Sequence, residues 1–441
     1  MIKLYKGGRG DLNKIILIFG IFSVNLFFSI SAIVGYNYNG LDESKIYLVY
    51  SSGVACFCFL LSILYLFRKN VKVNKKDLLS YSLPFIFLVM YLLSFFTNDT
   101  YSKSAFLSYA YFLLWSVPAA YIAIYINMKK SFFELIKYIE IVMLIFSFSI
   151  INSAFIPFIS GQSFSSIGGA TYQSASYIAA FAYGLNLYFL TLGSHHIRLD
   201  FTEKISYKMF CIFLLFIQIL GVIISGGRGG IVLVSVYTLV IAILIMKSKK
   251  KKNILFFIFL FLSSVITIQL LFPFFMKNHI FSDGFSRVFQ FVEGDDLINW
   301  SGTSGRDIVY SYALNLIKES PVMGYGVFGY WEFLPFSPHN IVLEILLGGG
   351  VIYLAIVSTL FILFLVKLNK MIKVNKENTI IIILFLYPLV MLMFSGTYLI
   401  SSELWFVLIL VFTSTFTNEN INFKKTMRID IENETKEKNY E

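Results

Sequence analysis

Long apolar runs, separated by short polar links, dominate the pattern along the chain. Twelve runs of roughly membrane-spanning length can be drawn, of which the Ser- and Ala-rich sixth and the short last one are the weakest. A run of about 20 apolar residues is long enough to cross ~30 Å of hydrocarbon as a helix. The runs cover approximately 15–34, 46–67, 78–96, 105–127, 139–159, 172–192, 208–225, 230–246, 254–275, 340–366, 379–400 and 404–417. The pattern predicts an all-α integral membrane protein, with one polytopic domain over residues 1–417 and a polar tail over 418–441.

Composition supports a membrane protein over a soluble one. Of 441 residues, 57% are hydrophobic and only 14% are charged, whereas soluble domains carry roughly a quarter charged residues. The net charge of +11 is not taken as a sign of nucleic-acid binding. The lysines cluster in the short links, where membrane proteins use positive charge to hold a link in the cytoplasm.

The distribution of Lys and Arg predicts the orientation. If the N-terminus is cytoplasmic, the links on that side and the tail carry 29 of these residues, and the opposite side carries 7. This asymmetry favours cytoplasmic N- and C-termini and an even number of spans.

One predicted extracytoplasmic link is much longer than the others. Residues 276–338 are rich in Gly, Ser, Asp and aromatic residues, and long loops on a rigid scaffold commonly carry function. Within this loop, residues 303–321 predict a short helix with Ser304 as N-cap and Pro321 beyond its end. Its apolar face should cover the membrane surface or the outer helix ends. The glycine-spaced stretch VMGYGVFGYW follows and predicts a tight turn.

Arg228 lies in the stretch SGGRGG, between the seventh and eighth runs, on the side where positive charge is scarce. A guanidinium offers a planar set of donors that suits phosphate. The alternative is an arginine that reaches lipid phosphates at the interface.

Two further arginines lie in the long loop. Arg306 begins the predicted loop helix, where a bound anion would face both the guanidinium and the helix N-terminus. A local pair with Asp307 or a solvated charge is the alternative. Arg287 is a third candidate, although a surface charge near Asp283 or Glu293 is a stronger alternative there.

His339 follows Pro338 and directly precedes the tenth run. An imidazole titrates near ~6.5, so it can accept and release a proton at neutral pH. The alternative is a histidine that only caps a membrane helix. Glu344 lies inside the tenth run, where an ionisable group is energetically costly, so it is a candidate for a functional role. Glu403 is a similar acid near an outer helix end. The predicted outer segments contain no cluster of acids that suggests a divalent metal, and no cofactor is predicted.

Three of these stretches together resemble a known family. They are SGGRGG (225–230), GTSGRDIVYSYALNLIKESPVMGYGVFGY (302–330) and PHNIVLEILLGGGVIYLAIV (338–357). In their order and side of the membrane they resemble the O-antigen polymerases and O-antigen ligases, which assemble bacterial surface polysaccharide.

The resemblance implies a metal-independent glycosyltransferase of the C superfamily in the bacterial inner membrane. Its donor would be an undecaprenyl-diphosphate-linked glycan, with Arg228 and Arg306 on the diphosphate and His339 as base. We add Arg287 and Glu344 as candidate substrate-binding residues. Polymerase is favoured over ligase, and a transporter of the same lipid-linked glycan is a less favoured alternative. Membrane lipid is the other expected partner, and a protein that controls chain length is left open.

Overall fold

A computed structural model gives the fold of the protein. It describes residues 8–38, 45–67, 73, 75–98, 102–161, 166–194, 198–248, 253–259, 262, 269, 272–273, 276–277, 279–289, 306–334 and 336–414. Within these ranges the architecture is all-helical, as the apolar pattern predicts, and strands are absent from them. The principal helices are α1 (Gly8–Ile21), α2 (Ser23–Ile33), α3 (Lys45–Leu66), α4 (Lys75–Tyr81), α5 (Leu83–Thr97), α6 (Lys103–Lys129), α7 (Phe132–Ile159), α8 (Tyr172–Thr191), α9 (Ile205–Ser225), α10 (Arg228–Ser248), α11 (His279–Phe289), α12 (Arg306–Glu319), α13 (Ile341–Val374), α14 (Ile380–Phe394) and α15 (Ser402–Thr413). Short 3-10 turns cover Asp200–Glu203, Gly329–Glu332, Lys376–Thr379 and Tyr398–Ile400.

Seven helices in the described part of the chain are long and apolar enough to cross a membrane, or eight if a bent pair counts as one span. The chain is therefore a multi-pass membrane protein. The count of twelve stays a prediction, since α5 and α15 are shorter apolar helices and most of the ninth predicted run lies outside the described residues. The polar tail after residue 414 also lies outside them.

α8, the Ser- and Ala-rich helix, lies at the centre of the bundle. It packs against α7, α9, α10 and α14, and nearly all of its residues from Ala175 onward are buried. Small side chains let helix backbones approach closely inside a membrane bundle. Because this helix faces protein on most sides, it needs less apolar surface than a lipid-facing span.

Several predicted spans are interrupted. The first divides into α1 and α2, which meet at an angle of 101°. α6 and α7 each contain a π-helical turn, over Phe112–Ser116 and Ile151–Phe155, and each turn is followed closely by a proline, Pro118 or Pro157. A proline removes one backbone donor and displaces the preceding carbonyl, and a π turn accommodates this change.

α13 bends at Gly349–Gly350, where the loop after α12 joins it. The Val351 amide donates to the Pro321 carbonyl at 2.9 Å, and the Tyr325 amide donates to the Leu347 carbonyl at 2.8 Å. These bonds cross the bend and hold the loop against the membrane helix.

The loop helix predicted within 303–321 is α12, which ends at Glu319 before Pro321. Its predicted cap, Ser304, lies outside the described residues. The predicted apolar face is buried only in part: Ala313 packs with Tyr330 and Leu347, whereas Tyr312 remains 61% exposed. The helix therefore covers the end of α13 rather than inserting among the spans.

Candidate functional site

The glycines around Arg228 let α10 begin in direct contact with α8. A Cβ built on Gly229 would lie 1.8 Å from the Tyr177 hydroxyl oxygen, and one built on Gly230 would lie 2.0 Å from the Ser176 Oγ. Only glycine fits so close to a neighbouring helix. The start of α10, which carries the half-buried Arg228, therefore lies beside the first turns of α8.

Arg306 ties the loop helix to the membrane bundle. It is the first residue of α12, and its Nη2 donates to the carbonyl of Phe394, the last residue of α14, at 2.7 Å. A cation suits a helix C-terminus, where the last carbonyls have no intrahelical partner. Arg306 also lies close enough to Arg228 for the two positive charges to interact.

His339 has an unusual backbone conformation for a residue with a side chain. Its φ of 54° is in the left-handed region, which costs about 1–2 kcal/mol for most L-residues. The His339 amide donates to the Ser337 Oγ at 3.3 Å, and that hydroxyl donates to the Gly396 carbonyl at 2.6 Å. The surrounding loop therefore holds the strained conformation.

The imidazole of His339 is in an environment that favours its neutral form. Burial lowers its pKa, and the positive charge of Arg306 lowers it further. Its Nδ1 is buried and has no hydrogen-bond partner among the described residues. A neutral ring nitrogen beside a cation can accept a proton from a hydroxyl group.

Glu344 is 1% exposed and is surrounded by donors from the protein. Its Oε1 accepts hydrogen bonds from the Tyr330 hydroxyl at 2.8 Å and from the Thr397 hydroxyl, and its Oε2 accepts one from the Tyr398 amide at 3.3 Å. Among the described residues, its hydrogen-bonded partners are thus hydroxyl and amide groups.

Arg287 belongs to α11, which packs against α9 and α10. A Cβ built on Gly284 of α11 would lie 2.3 Å from the Ile223 carbonyl oxygen, so the two helices touch near the end of α9. The Arg287 side chain lies outside the described part of the structure. The backbone places it at the same end of the bundle as Arg228.

The structure also adds residues that the sequence did not single out. The turn after α14 supplies the Phe394 and Gly396 carbonyls, and its Ser395 Oγ donates to Gln173 Oε1 of α8 at 3.3 Å. A polar run after an apolar span, FSGTY, is the only signal for it in the sequence.

A buried ion pair was also missed. Glu140 of α7 is fully buried and accepts from the Arg198 Nε at 3.2 Å and from the Tyr207 hydroxyl at 3.0 Å. Arg198 appeared in the sequence only as one of the positive charges of a predicted cytoplasmic link. Its pairing with Glu140 assigns it a structural role in the bundle.

The arrangement brings together two guanidinium groups and one imidazole. Arg306 interacts electrostatically with both Arg228 and His339, and its carbonyl partner belongs to the turn that also holds Ser337. Adjacent positive charges repel each other, so an anion between them would be stabilised. Groups of three or more His, Cys, Asp or Glu side chains that could hold a metal are not found among the described residues.

Comparison with known proteins identifies the segment that contains these groups. Residues 213–358 match a family model described as O-antigen ligase. The match includes Arg228, Arg287, Arg306, His339 and Glu344. Neither the curated proteins nor the solved structures gave a match. The segment 213–358 is therefore similar to an O-antigen ligase domain, and this match supports the resemblance to the O-antigen ligases and polymerases.

Proposed function

We propose that the protein is a polymerase that joins undecaprenyl-diphosphate-linked oligosaccharide repeat units into O-antigen or a related surface polysaccharide. The observation that carries this proposal is the position of Arg306. Within the O-antigen ligase domain, its charge acts on both Arg228 and His339. A diphosphate leaving group needs positive charge, and an attacking hydroxyl needs a base.

His339 is the general base in this mechanism. The neutral imidazole takes the proton from a hydroxyl group of the acceptor sugar as that oxygen attacks the anomeric carbon of the donor. A new C–O bond forms, and the bond from the anomeric carbon to the diphosphate oxygen breaks. The electron pair leaves with the undecaprenyl diphosphate. Because attack and departure occur on opposite faces of the carbon, the product has inverted configuration.

The arginines stabilise the departing diphosphate. Arg228 and Arg306 offer several N–H donors to its oxygens, and Arg287 is placed at the same end of the bundle by α11. Preorganised charge at the point where negative charge develops is an effective way to lower a barrier. In this proposal the guanidinium groups fill the role of a metal, and the reaction is metal-independent.

The cellular setting follows from the charge asymmetry along the chain. We place the protein in the bacterial inner membrane, with both termini cytoplasmic and the site at the periplasmic face, because positive charge is concentrated in the predicted cytoplasmic links. The lipid tail of the donor would lie between spans, within membrane lipid. A protein that controls chain length is a possible additional partner, and nucleic acid is not one.

An O-antigen ligase is the second candidate, and the description of the matching family model favours it. A ligase would use the same lipid-linked donor, the same arginines and the same histidine, but it would transfer the glycan to lipid A core. A transporter is less well supported, since coupled transporters place their charged sites near the bilayer midplane, whereas Arg228, Arg306 and His339 lie at helix ends or in the loop.

Purified protein distinguishes the two enzymes. The full chain in lipid nanodiscs is mixed with lipid-linked repeat units from the bacterium that encodes it, with or without lipid A core. A polymerase produces longer lipid-linked chains from the repeat units alone. Product that appears only when lipid A core is present would reject polymerisation in favour of ligation, and no product in either mixture would reject both.

A further inference from the structure

The turn formed by residues 394–398, here called the 394–398 turn, connects several parts of the site. Its Phe394 carbonyl accepts from Arg306, and its Gly396 carbonyl accepts from Ser337. The Ser337 hydroxyl in turn accepts from the His339 amide at 3.3 Å. The turn therefore contacts, on one side, the arginine of the loop helix and, on another, the short segment that carries the histidine.

Glu344 contacts this turn through both oxygens of its carboxyl group. The Thr397 hydroxyl and the Tyr398 amide both donate to its carboxyl group, one to each oxygen. Thr397 also caps the following 3-10 turn, because its Oγ1 accepts from the Leu399 amide at 3.2 Å. A change at Glu344 or Thr397 would thus release the turn without removing a charged group next to His339.

The same carboxyl group joins the turn to the rest of the site. The Tyr330 hydroxyl, which donates to Glu344 at 2.8 Å, belongs to the 3-10 turn that packs with Ala313 of α12. Glu344 itself is in the first turns of α13, whose N-cap, Asn340, directly follows His339. One buried group thus links the loop helix with Arg306, the histidine segment and the 394–398 turn.

We propose that Glu344 is a positioning residue rather than a substrate contact. By holding Thr397 and the Tyr398 amide it fixes the 394–398 turn, and the carbonyls of this turn set the positions of Arg306 and the His339 segment. This inference rests on the proposed function, because it assigns Glu344 a role in the same transfer reaction. A buried acid with protein donors on both oxygens is suited to such support, since its polar atoms are already satisfied.

Substitutions at Thr397 test the proposal with minimal change in shape. Thr397→Val removes the hydroxyl donor, whereas Thr397→Ser keeps it. Glu344→Gln keeps one acceptor oxygen and replaces the other with an NH₂ group, so at least one of the Tyr330, Thr397 and Tyr398 donors loses its acceptor. Thr359→Val is the matched control, because the Thr359 hydroxyl is exposed and bonds only to Ala355 of its own helix, at 2.8 Å, among the described residues.

Two readouts are needed, and they are independent. Hydrogen–deuterium exchange of the full chain in nanodiscs follows peptides that cover 394–400 and 336–341. Steady-state kinetics with lipid-linked repeat units gives kcat and KM for each variant. A misplaced catalytic group commonly costs a factor of ten to a hundred in rate, so we expect kcat to fall at least about tenfold in Thr397→Val and Glu344→Gln. We expect KM to change little, because neither residue contacts the substrate in this proposal.

The proposal is supported if Thr397→Val and Glu344→Gln show both faster exchange in the two peptides and a lower kcat. Thr397→Ser and Thr359→Val should keep near-normal exchange and a near-normal kcat. Unchanged exchange in Thr397→Val and Glu344→Gln would overturn the anchoring role. Faster exchange with unchanged kcat would overturn the link to the reaction, and a rise in KM alone would assign Glu344 to substrate binding instead. If the wild-type chain transfers no sugar, the proposed function fails, while the exchange of the 336–341 peptide still decides whether Glu344 fixes the histidine segment.

Discussion

The surroundings of the His339 imidazole set the expected pH response of the proposed site. Burial and the neighbouring guanidinium both lower the pKa of His339. Next to Arg228 the constraint is steric, because Gly229 and Gly230 leave no space for a side chain between α10 and α8. Removing the charge of Arg306 and adding a methyl group at Gly229 should therefore have measurable consequences.

Replacing Arg306 with Gln should move the acid limb of the pH–rate profile to higher pH. A general base works in its neutral form, so activity is lost as pH falls through the pKa of His339. Removing the nearby positive charge raises that pKa toward its ordinary value of about 6.5. The measurement is kcat/KM against pH, with each profile normalised to its own maximum because the variant is also slower.

Lys318→Gln is the control for this shift. Lys318 is in the last turn of the same helix, exposed and far along α12 from Arg306. Its profile should coincide with that of the wild type. An acid limb that stays in place in Arg306→Gln would contradict the electrostatic coupling between Arg306 and His339.

Adding a methyl group at Gly229 should destabilise the protein. Because the new Cβ would overlap the Tyr177 hydroxyl, the cost should be about 1–3 kcal/mol, as for other overpacked sites. Gly53→Ala is the matched control, since a Cβ there meets nothing within 4 Å. Thermal unfolding in detergent should show a lower midpoint for Gly229→Ala and an unchanged or higher one for Gly53→Ala. Equal midpoints would show that α10 does not pack against α8 as described.

At the scale of helices, the sequence pattern located most elements but not their interruptions. The loop helix was predicted because Pro321 and its apolar spacing are local signals, and α8 was found despite its weak hydropathy. The 101° bend between α1 and α2 could not be foreseen, since apolar residues continue through Phe22. The start of α7 at Phe132 was missed because its first turns carry charged residues that resemble a polar link: Glu134, Lys137 and Glu140. One of these charges is satisfied inside the bundle, because Glu140 forms a buried ion pair with Arg198.

The bend in α13 gives a test of how the loop is held. Gly350 has a φ of 61°, and a Cβ there would lie 2.2 Å from the Val322 carbonyl oxygen. Gly350→Ala should therefore displace the loop after α12 and, with it, Arg306. We expect loss of polysaccharide chain growth in cells, seen as loss of the ladder on a gel, although Arg306 and His339 are both retained.

Gly348→Ala is the control within the same helix. A Cβ at Gly348 would make its closest contact at 3.6 Å, an ordinary van der Waals distance. This variant should produce a normal ladder. A normal ladder from Gly350→Ala as well would show that the bend does not position the loop.

For the whole molecule, the central question is whether the site is at the extracytoplasmic end of the bundle. The unequal distribution of 29 and 7 positive residues between the two sides predicts that it is. The sequence placed Arg228, Arg306 and His339 on the same side. It could not show that Arg306 lies near both of the other two, because the position of its side chain depends on the Phe394 carbonyl, more than 80 residues further along the chain.

Cysteine labelling tests this orientation. In a chain without Cys56, Cys58 and Cys211, we compare Lys318→Cys in α12 with Lys370→Cys near the end of α13, both at exposed positions. A membrane-impermeant maleimide added outside spheroplasts should label position 318 and leave position 370 unlabelled until the membrane is opened. The reverse pattern would place the site in the cytoplasm.

Release of undecaprenyl diphosphate by purified protein supplied with lipid-linked repeat units tests the proposed reaction directly. His339→Asn is the informative variant, because asparagine tolerates the left-handed backbone that His339 adopts and has no basic nitrogen. We predict that the wild type releases one undecaprenyl diphosphate for each new glycosidic bond, and that a folded His339→Asn protein is slower by a factor of about 10²–10⁴, the usual contribution of a general base. Release by His339→Asn at the wild-type rate would contradict the role of the imidazole and the reaction centre built around it.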